Sequence, residues 1–85
     1  LLESAALDMM NLNDDYVVSE IKVNNWLNGK SVRDLHLEKY ALKMIALERG
    51  SSSTIVNFSQ EDIVAGGDAI AVIGKFSDVD RFERK

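Results

Sequence analysis

The chain has 85 residues, no cysteine, and 14 acidic against 10 basic side chains, which gives a net charge of -4 at pH 7. This length excludes more than one ordinary domain, the lack of cysteine excludes disulfides, and the dispersed Lys and Arg residues disfavour capture of nucleic acid or anionic lipid. Because so short a chain buries only about 60 to 65% of its unfolded surface, we expect a second copy or an attached domain to add stability.

The first predicted element is a short amphipathic helix over residues 1–10, where apolar side chains recur at helical spacing. Ten residues form only a marginal helix in isolation, so we expect this one to pack against a preceding domain. The chain does not open with methionine and shows no signal peptide, which favours an excised fragment of a longer protein. Residues 11–15 are predicted to form a polar turn.

A strand is predicted to begin at Tyr16, where the hydrophobic period changes to two. Val17, Ser19, Ile21 and Val23 would share one face, which is typical of a half-buried strand.

A short helix is predicted to begin at Ser31, because Ser31 and Asp34 have the spacing of a capping box, with Asp in place of the usual Glu. Val32 and Leu35 would share the core-facing side of this helix. Residues 37–41 then lead towards the next strand.

Three further strands follow in the prediction. Residues 42–49 carry apolar side chains at both odd and even positions, which is typical of a central strand covered on both faces. Residues 54–58 alternate again and complete a hairpin with that strand. A turn at residues 66–68 leads into a last strand at residues 69–74, which is rich in Ile and Val.

A final helix is predicted from the capping spacing of Ser77 and Asp80, with Val79 and Phe82 on its apolar face. The predicted fold class is α+β: a small β-α-β-β-β-α domain with a mostly antiparallel sheet, preceded by a short linker helix. No run of 18 apolar residues is present, so direct membrane insertion is not expected.

Residues suited to catalysis or metal binding are scarce. The single imidazole, His36, lies between two leucines, which is typical of a surface or capping residue. Residues 11–15 have the composition of a calcium loop, but Tyr16 and Lys22 stand where such a loop needs glycine and glutamate. We therefore predict no catalytic site, no metal site and no enzyme.

The aromatic residues leave two interpretations open. Trp26 suits either ordinary core packing or a contact between subunits, and the same alternatives apply to Tyr40 and Phe58.

Four motifs in register with the predicted strands resemble the RCK C-terminal domain, also called TrkA-C. They are Gly29-Lys30-Ser31-Val32-Arg33-Asp34-Leu35, Ala46-Leu47-Glu48-Arg49-Gly50, Gly67-Asp68 and Val72-Ile73-Gly74-Lys75. This domain ends the cytosolic subunits of Trk and Ktr potassium-uptake systems. The resemblance implies that residues 16–85 form the regulatory domain, and that residues 1–15 are a linker helix and turn from an upstream nucleotide-binding domain.

The resemblance also implies a homodimer that senses a ligand and regulates a membrane-embedded potassium transporter subunit. Such a domain would be cytoplasmic and peripheral to the inner face of the cell membrane through that partner. Two alternatives stay open: a purely structural dimerisation module without a ligand, and the same domain in a different ion transporter.

Some members of this family bind cyclic di-adenosine monophosphate (cyclic di-AMP) between two C-terminal domains. The matching positions here are Val32, His36, Leu37, Lys43, Met44 and Phe58. The resemblance implies that the apolar members flank adenine rings and that a basic member meets phosphate. Relatives often carry a basic residue where Glu38 or Lys39 lies, and Glu38 would repel phosphate if it pointed inward. The alternative is that Val32, Leu37 and Met44 are simply core residues.

Overall fold

The computed structural model describes residues 9–50 and 53–84 of the chain. Its strands are β1 (Met9–Asn11), β2 (Tyr16–Lys22), β3 (Lys43–Arg49), β4 (Ser53–Ile55) and β5 (Ala69–Lys75), and its helices are two 3₁₀ helices (Arg33–Leu35 and Leu37–Tyr40) and α1 (Phe76–Glu83). The strands form a sheet in the order β1-β2-β5-β3-β4, and every neighbouring pair is antiparallel. The predicted α+β class with an antiparallel sheet is confirmed.

The predicted N-terminal helix is wrong at its end, because residues 9–11 form strand β1. The Asn13 side chain accepts hydrogen bonds from the backbone N–H groups of Asp15 and Tyr16, which reverses the chain and lays Met10 opposite Val18. Pairing with β1 satisfies the backbone N–H and C=O groups along the edge of β2, whereas a ten-residue helix is only marginally stable on its own. The rest of the predicted helix, residues 1–8, lies outside the described residues.

The predicted alternation of the first strand is confirmed in β2, where Val17, Ser19 and Ile21 are all buried on one face. The neighbouring β5 contributes Ile70 and Val72, which have no exposed surface. Strand β3 adds Leu47 to the same layer, opposite Ile70. The core therefore lies on one face of the sheet, beneath α1 and the 3₁₀ helices.

The helix predicted at Ser31 is present as two short 3₁₀ helices. The capping role of Ser31 is confirmed, since its hydroxyl accepts a hydrogen bond from the backbone N–H of Asp34 at 3.2 Å. His36 then adopts a left-handed conformation with φ of 54°, and Ala41 does the same with φ of 57°. A left-handed residue ends a right-handed helix, so the segment turns twice within ten residues and cannot form one longer helix.

The hairpin of β3 and β4 differs from the prediction in two ways. A β-bulge interrupts β3 between Met44 and Ala46, and leaves Ile45 39% exposed, so the prediction of a strand covered on both faces is wrong within this chain. Strand β4 ends at Ile55 instead of residue 58. Beyond it the backbone forms a local turn, in which the N–H of Ser59 donates to the Asp62 carboxylate.

Helix α1 begins at Phe76, and the predicted N-terminal cap at Ser77 is wrong. The backbone N–H of Phe76 donates to the carbonyl of Asp15 at 3.0 Å, so the turn between β1 and β2 satisfies one of the donors that a helix leaves unpaired at its start. The apolar face is as predicted, because Val79 and Phe82 are buried.

Aromatic packing beneath α1 involves Phe82, Trp26 and Tyr40. The Phe82 ring, which has no exposed surface, lies 5.6 Å from the Trp26 ring and 5.2 Å from the Tyr40 ring, the latter edge-on. These contacts agree with the interpretation of Trp26 and Tyr40 as packing residues.

Phe82→Ala tests how much this cluster stabilises the domain. We expect the free energy of unfolding to fall by about 3 to 5 kcal/mol, because a fully buried ring is lost and a cavity remains. Phe76→Ala is the matched control: Phe76 is on the same helix but 52% exposed, so we expect a change within about 0.5 kcal/mol. Urea denaturation followed by circular dichroism measures both, and equal losses would contradict the assignment of Phe82 to the core.

Candidate ligand-binding cleft

An open cleft of about 240 Å³ lies where the 3₁₀ helices, the start of β3 and the loop after β4 meet. Its walls are Val32, Leu37, Glu38, Leu42, Lys43, Met44, Phe58 and Gln60.

The floor of the cleft is apolar and belongs to the core. Val32, Leu37, Leu42 and Met44 are each between 4% and 8% exposed, so they present only a small part of their surface to the cleft. The left-handed turn at Ala41 reverses the chain here, and the backbone N–H of Leu42 donates to the carbonyl of Leu37 at 3.1 Å. These residues therefore serve as core and cleft wall at once.

The loop after β4 is held against the first 3₁₀ helix by its backbone. The N–H of Val32 donates to the carbonyl of Asp62 at 2.8 Å, and the N–H of Arg33 donates to the carbonyl of Gln60 at 3.0 Å. An ion pair between Arg33 and Glu61 lies beside these bonds. The two backbone bonds and the ion pair together hold in place the wall of the cleft that carries Phe58 and Gln60.

The cleft carries side chains of opposite charge. Lys43, the first residue of β3, is exposed at the rim, while Glu38 contributes a carboxylate to the same opening. The Glu38 carboxylate also lies 3.5 Å from the Nδ1 atom of His36. A backbone hydrogen bond, and secondarily His36, lower the pKa of Glu38 below its ordinary value of 4.5, so this carboxylate is charged at neutral pH.

Five of the six positions implied by the resemblance line this one cleft: Val32, Leu37, Lys43, Met44 and Phe58. His36 instead lines a neighbouring cavity of about 190 Å³ with Trp26, Lys30, Asp34, Leu35, Lys39 and Tyr40. The contact of these six residues with a ligand stays a prediction.

Two cleft residues were missed by the sequence analysis. Leu42 could have been found, since it opens the apolar run that becomes β3. Gln60 carries no such signal, because it lies in a loop without hydrophobic periodicity; its carbonyl accepts one of the backbone bonds that hold this loop against the first 3₁₀ helix. Glu38 was recognised as a departure, and the structure places it at the opening.

The described residues contain no group of three or more His, Cys, Asp or Glu side chains that could hold a metal ion. None of the helices in the described part of the chain is long and apolar enough to cross a membrane.

Two curated relatives match the whole chain. They are Ktr system potassium uptake protein C of Bacillus subtilis (strain 168), 29% identical over 86 aligned residues, and Ktr system potassium uptake protein A of the same strain, 27% identical over 86. The chain spans 38% of the length of each relative.

A solved structure also matches, with a TM-score of 0.73, 28% identity and coverage of 79% of both chains. It is the RCK C domain of the potassium transport protein KtrA in complex with cyclic di-AMP. A family model, described as the TrkA-C domain, matches residues 16–85. The resemblance drawn from the sequence is therefore confirmed, and the chain belongs to the TrkA-C domain family.

Proposed function

We propose that this chain is the cytoplasmic, ligand-sensing and dimerisation domain of a gating subunit in a potassium-uptake system, and that two copies share one cyclic di-AMP. The observation that carries the proposal is the cleft itself, in which apolar and aromatic walls lie beside a single lysine. The similarity to potassium-uptake proteins and to a cyclic di-AMP complex supports the same function. In this proposal residues 16–85 are the regulatory domain and residues 1–15 are a linker from an upstream nucleotide-binding domain.

The size of the cleft favours a shared ligand. Its volume of about 240 Å³ falls below the roughly 300 to 1,000 Å³ of a typical small-molecule pocket. Two copies related by a two-fold axis would present twice that volume, and cyclic di-AMP has matching two-fold symmetry. Each copy would then hold one adenosine and one phosphate.

The chemistry of the walls suits those two groups. Phe58 is half-buried and offers a ring for stacking on adenine, while the exposed Lys43 can reach a phosphate oxygen. Leu37 and Met44 supply an apolar floor beneath the base. His36 lies outside the cleft, with its Nδ1 atom 3.5 Å from the Glu38 carboxylate, and in this proposal it serves the site only indirectly, by holding that carboxylate in place.

A shared ligand would act by population shift. The ligand favours the arrangement of two copies in which both half-sites face each other. The size of the shift is limited by the difference in binding free energy between this arrangement and the others. A membrane-embedded transporter subunit at the inner face of the membrane would respond to that arrangement. This role is one of binding and regulation and requires no catalytic group.

A second candidate is a purely structural dimerisation module. The observation that favours it is the burial of Val32, Leu37 and Met44, which are explained as core residues without any ligand. The carboxylate of Glu38 at the opening also favours this second candidate, because it would repel an anionic ligand.

Calorimetric titration with cyclic di-AMP distinguishes the two candidates. We expect saturable binding at one ligand per two chains, and a loss of affinity of about tenfold or more in Lys43→Gln, because a charge-assisted hydrogen bond to phosphate is lost. Lys22→Gln is the matched control, since Lys22 is exposed at the end of β2 and outside the cleft. A dimer that gives no binding heat would establish the structural module instead.

The charge of Glu38 gives a separate prediction. Because its pKa is lowered below 4.5, the carboxylate stays ionised between pH 8 and pH 5, and Glu38→Gln should tighten cyclic di-AMP binding several-fold throughout this range. Asp14→Asn removes the same charge from a distant exposed turn and is the control. Equal affinities for Glu38→Gln and Asp14→Asn would contradict a role for Glu38 in the site.

A further inference from the structure

The cavity of about 190 Å³ beside the ligand-binding cleft combines basic side chains with aromatic walls. We call it the basic cavity. Its charged residues are Lys30, Lys39 and Asp34, and its aromatic walls are Trp26 and Tyr40. Two lysines against one carboxylate give the cavity a positive balance, although the whole chain carries a net charge of -4. A positively charged cavity on an acidic chain indicates an anionic ligand.

The two lysines are not neutralised by ion pairs. Neither Lys30 nor Lys39 forms one in the part of the chain that the structure describes. Glu38 attracts Lys39 electrostatically, but its carboxylate lies against His36 and lines the neighbouring cleft. Lys30 is also half-buried, and a charge that is partly withdrawn from water interacts more strongly with an anion than a fully solvated charge does.

Backbone hydrogen bonds hold both lysines at the cavity. The carbonyl of Lys30 accepts a hydrogen bond from the N–H of Val64 at 2.9 Å, and the N–H of Lys39 donates to the carbonyl of His36 at 3.0 Å. The left-handed conformation of His36 turns the chain between the two 3₁₀ helices. As a result, side chains from both helices and from the loop before them line one cavity.

The Trp26 ring lines two cavities, the basic cavity and one of about 240 Å³ that also contains Lys22 and Glu83. Its indole N–H is buried and has no hydrogen-bond acceptor among the described residues. Buried donors are normally paired, so an oxygen atom that met this N–H after a small tilt of the ring would stabilise the complex. The indole is therefore a third group that favours a ligand rich in oxygen.

We propose that the basic cavity binds a small phosphate monoester with a hydroxylated body, such as a sugar phosphate. The phosphate of a monoester carries about -1.5 to -2 charges at pH 7, which matches two ammonium groups better than the single charge of a carboxylate does. Asp34 would repel a bare anion, but its carboxylate can accept a hydrogen bond from a hydroxyl group of the ligand. The rings of Trp26 and Tyr40 supply apolar contact for the carbon atoms.

The size and residues of the basic cavity distinguish this proposal from the cyclic di-AMP site. A volume of about 190 Å³ is below the roughly 300 to 1,000 Å³ of a typical small-molecule pocket, which favours a compact ligand. Lys30, Lys39 and Asp34 are not among the walls of the ligand-binding cleft. The proposal therefore does not rest on cyclic di-AMP binding.

Titration with ribose 5-phosphate, followed by proton–nitrogen NMR correlation spectra, tests the proposal. Trp26 is the only tryptophan, so its indole gives a single N–H signal. We expect this signal to shift saturably, and Lys30→Gln and Lys39→Gln each to raise the dissociation constant about tenfold, because a charge-assisted hydrogen bond to phosphate is lost. With ionic strength held constant, ribose should cause no saturable shift, and inorganic phosphate should bind more weakly than the ester.

Asp34→Asn separates recognition of the ester from simple attraction of charge. The amide is a weaker acceptor for a ligand hydroxyl than the carboxylate is, and it no longer repels a bare anion. We therefore expect the preference for ribose 5-phosphate over inorganic phosphate to fall several-fold. An unchanged preference would refute the hydroxylated body as part of the ligand.

Lys22→Gln and Lys43→Gln are the matched controls, since Lys22 lines the other cavity beside Trp26 and Lys43 lines the ligand-binding cleft. Both variants should bind ribose 5-phosphate as the unmodified chain does, and the same spectra show that each variant is folded. The absence of a saturable shift at tens of millimolar ester, or a loss of affinity in either control equal to that of Lys30→Gln, would overturn the proposal. Cyclic di-AMP is absent throughout, so failure here leaves the proposed function to its own titration.

Discussion

Strand β5 is the constraint on which the rest of the structure depends. It pairs along its whole length with β2 and over five residues with β3, and so joins two hairpins that have no other sheet contact in the described residues. Its Gly74 is also required sterically: a β-carbon there would lie 2.5 Å from the Leu42 side chain and 3.2 Å from the Ala41 carbonyl. Because Leu42 lines the cleft, the shape of the candidate site depends on this close approach.

A second set of structural contacts lies at the opposite end of β5, around Asp68. The buried carboxylate of Asp68 accepts hydrogen bonds from the side chain of Arg49 at 2.8 Å and from the backbone N–H of Ala65 at 3.0 Å. These bonds connect the end of β3 to the turn before β5, at a distance from the cleft. They explain the Gly-Asp motif as structural, because Gly67 has φ of 93° and positions Asp68 for these contacts.

The sequence predicted those features that depend on a regular hydrophobic period. Strands β2 and β5 and the buried face of α1 follow from alternation or helical spacing. Strand β1 was missed because its pairing depends on the side chain of Asn13. The short helix at Ser31 was predicted, but its division into two 3₁₀ helices was not, because left-handed residues at His36 and Ala41 leave no periodic signal. The cleft was located through family resemblance, since most of its apolar residues are indistinguishable in sequence from core.

The hydrogen bond from Phe76 to Asp15 links two ends of the described fold. It makes the start of α1 depend on the position of the turn that follows β1, the strand nearest the beginning of the chain. The Phe76 N–H is one of the donors that a helix leaves unpaired at its start, so a substitution that disrupts the Asn13 turn would also remove the acceptor of the first donor of α1.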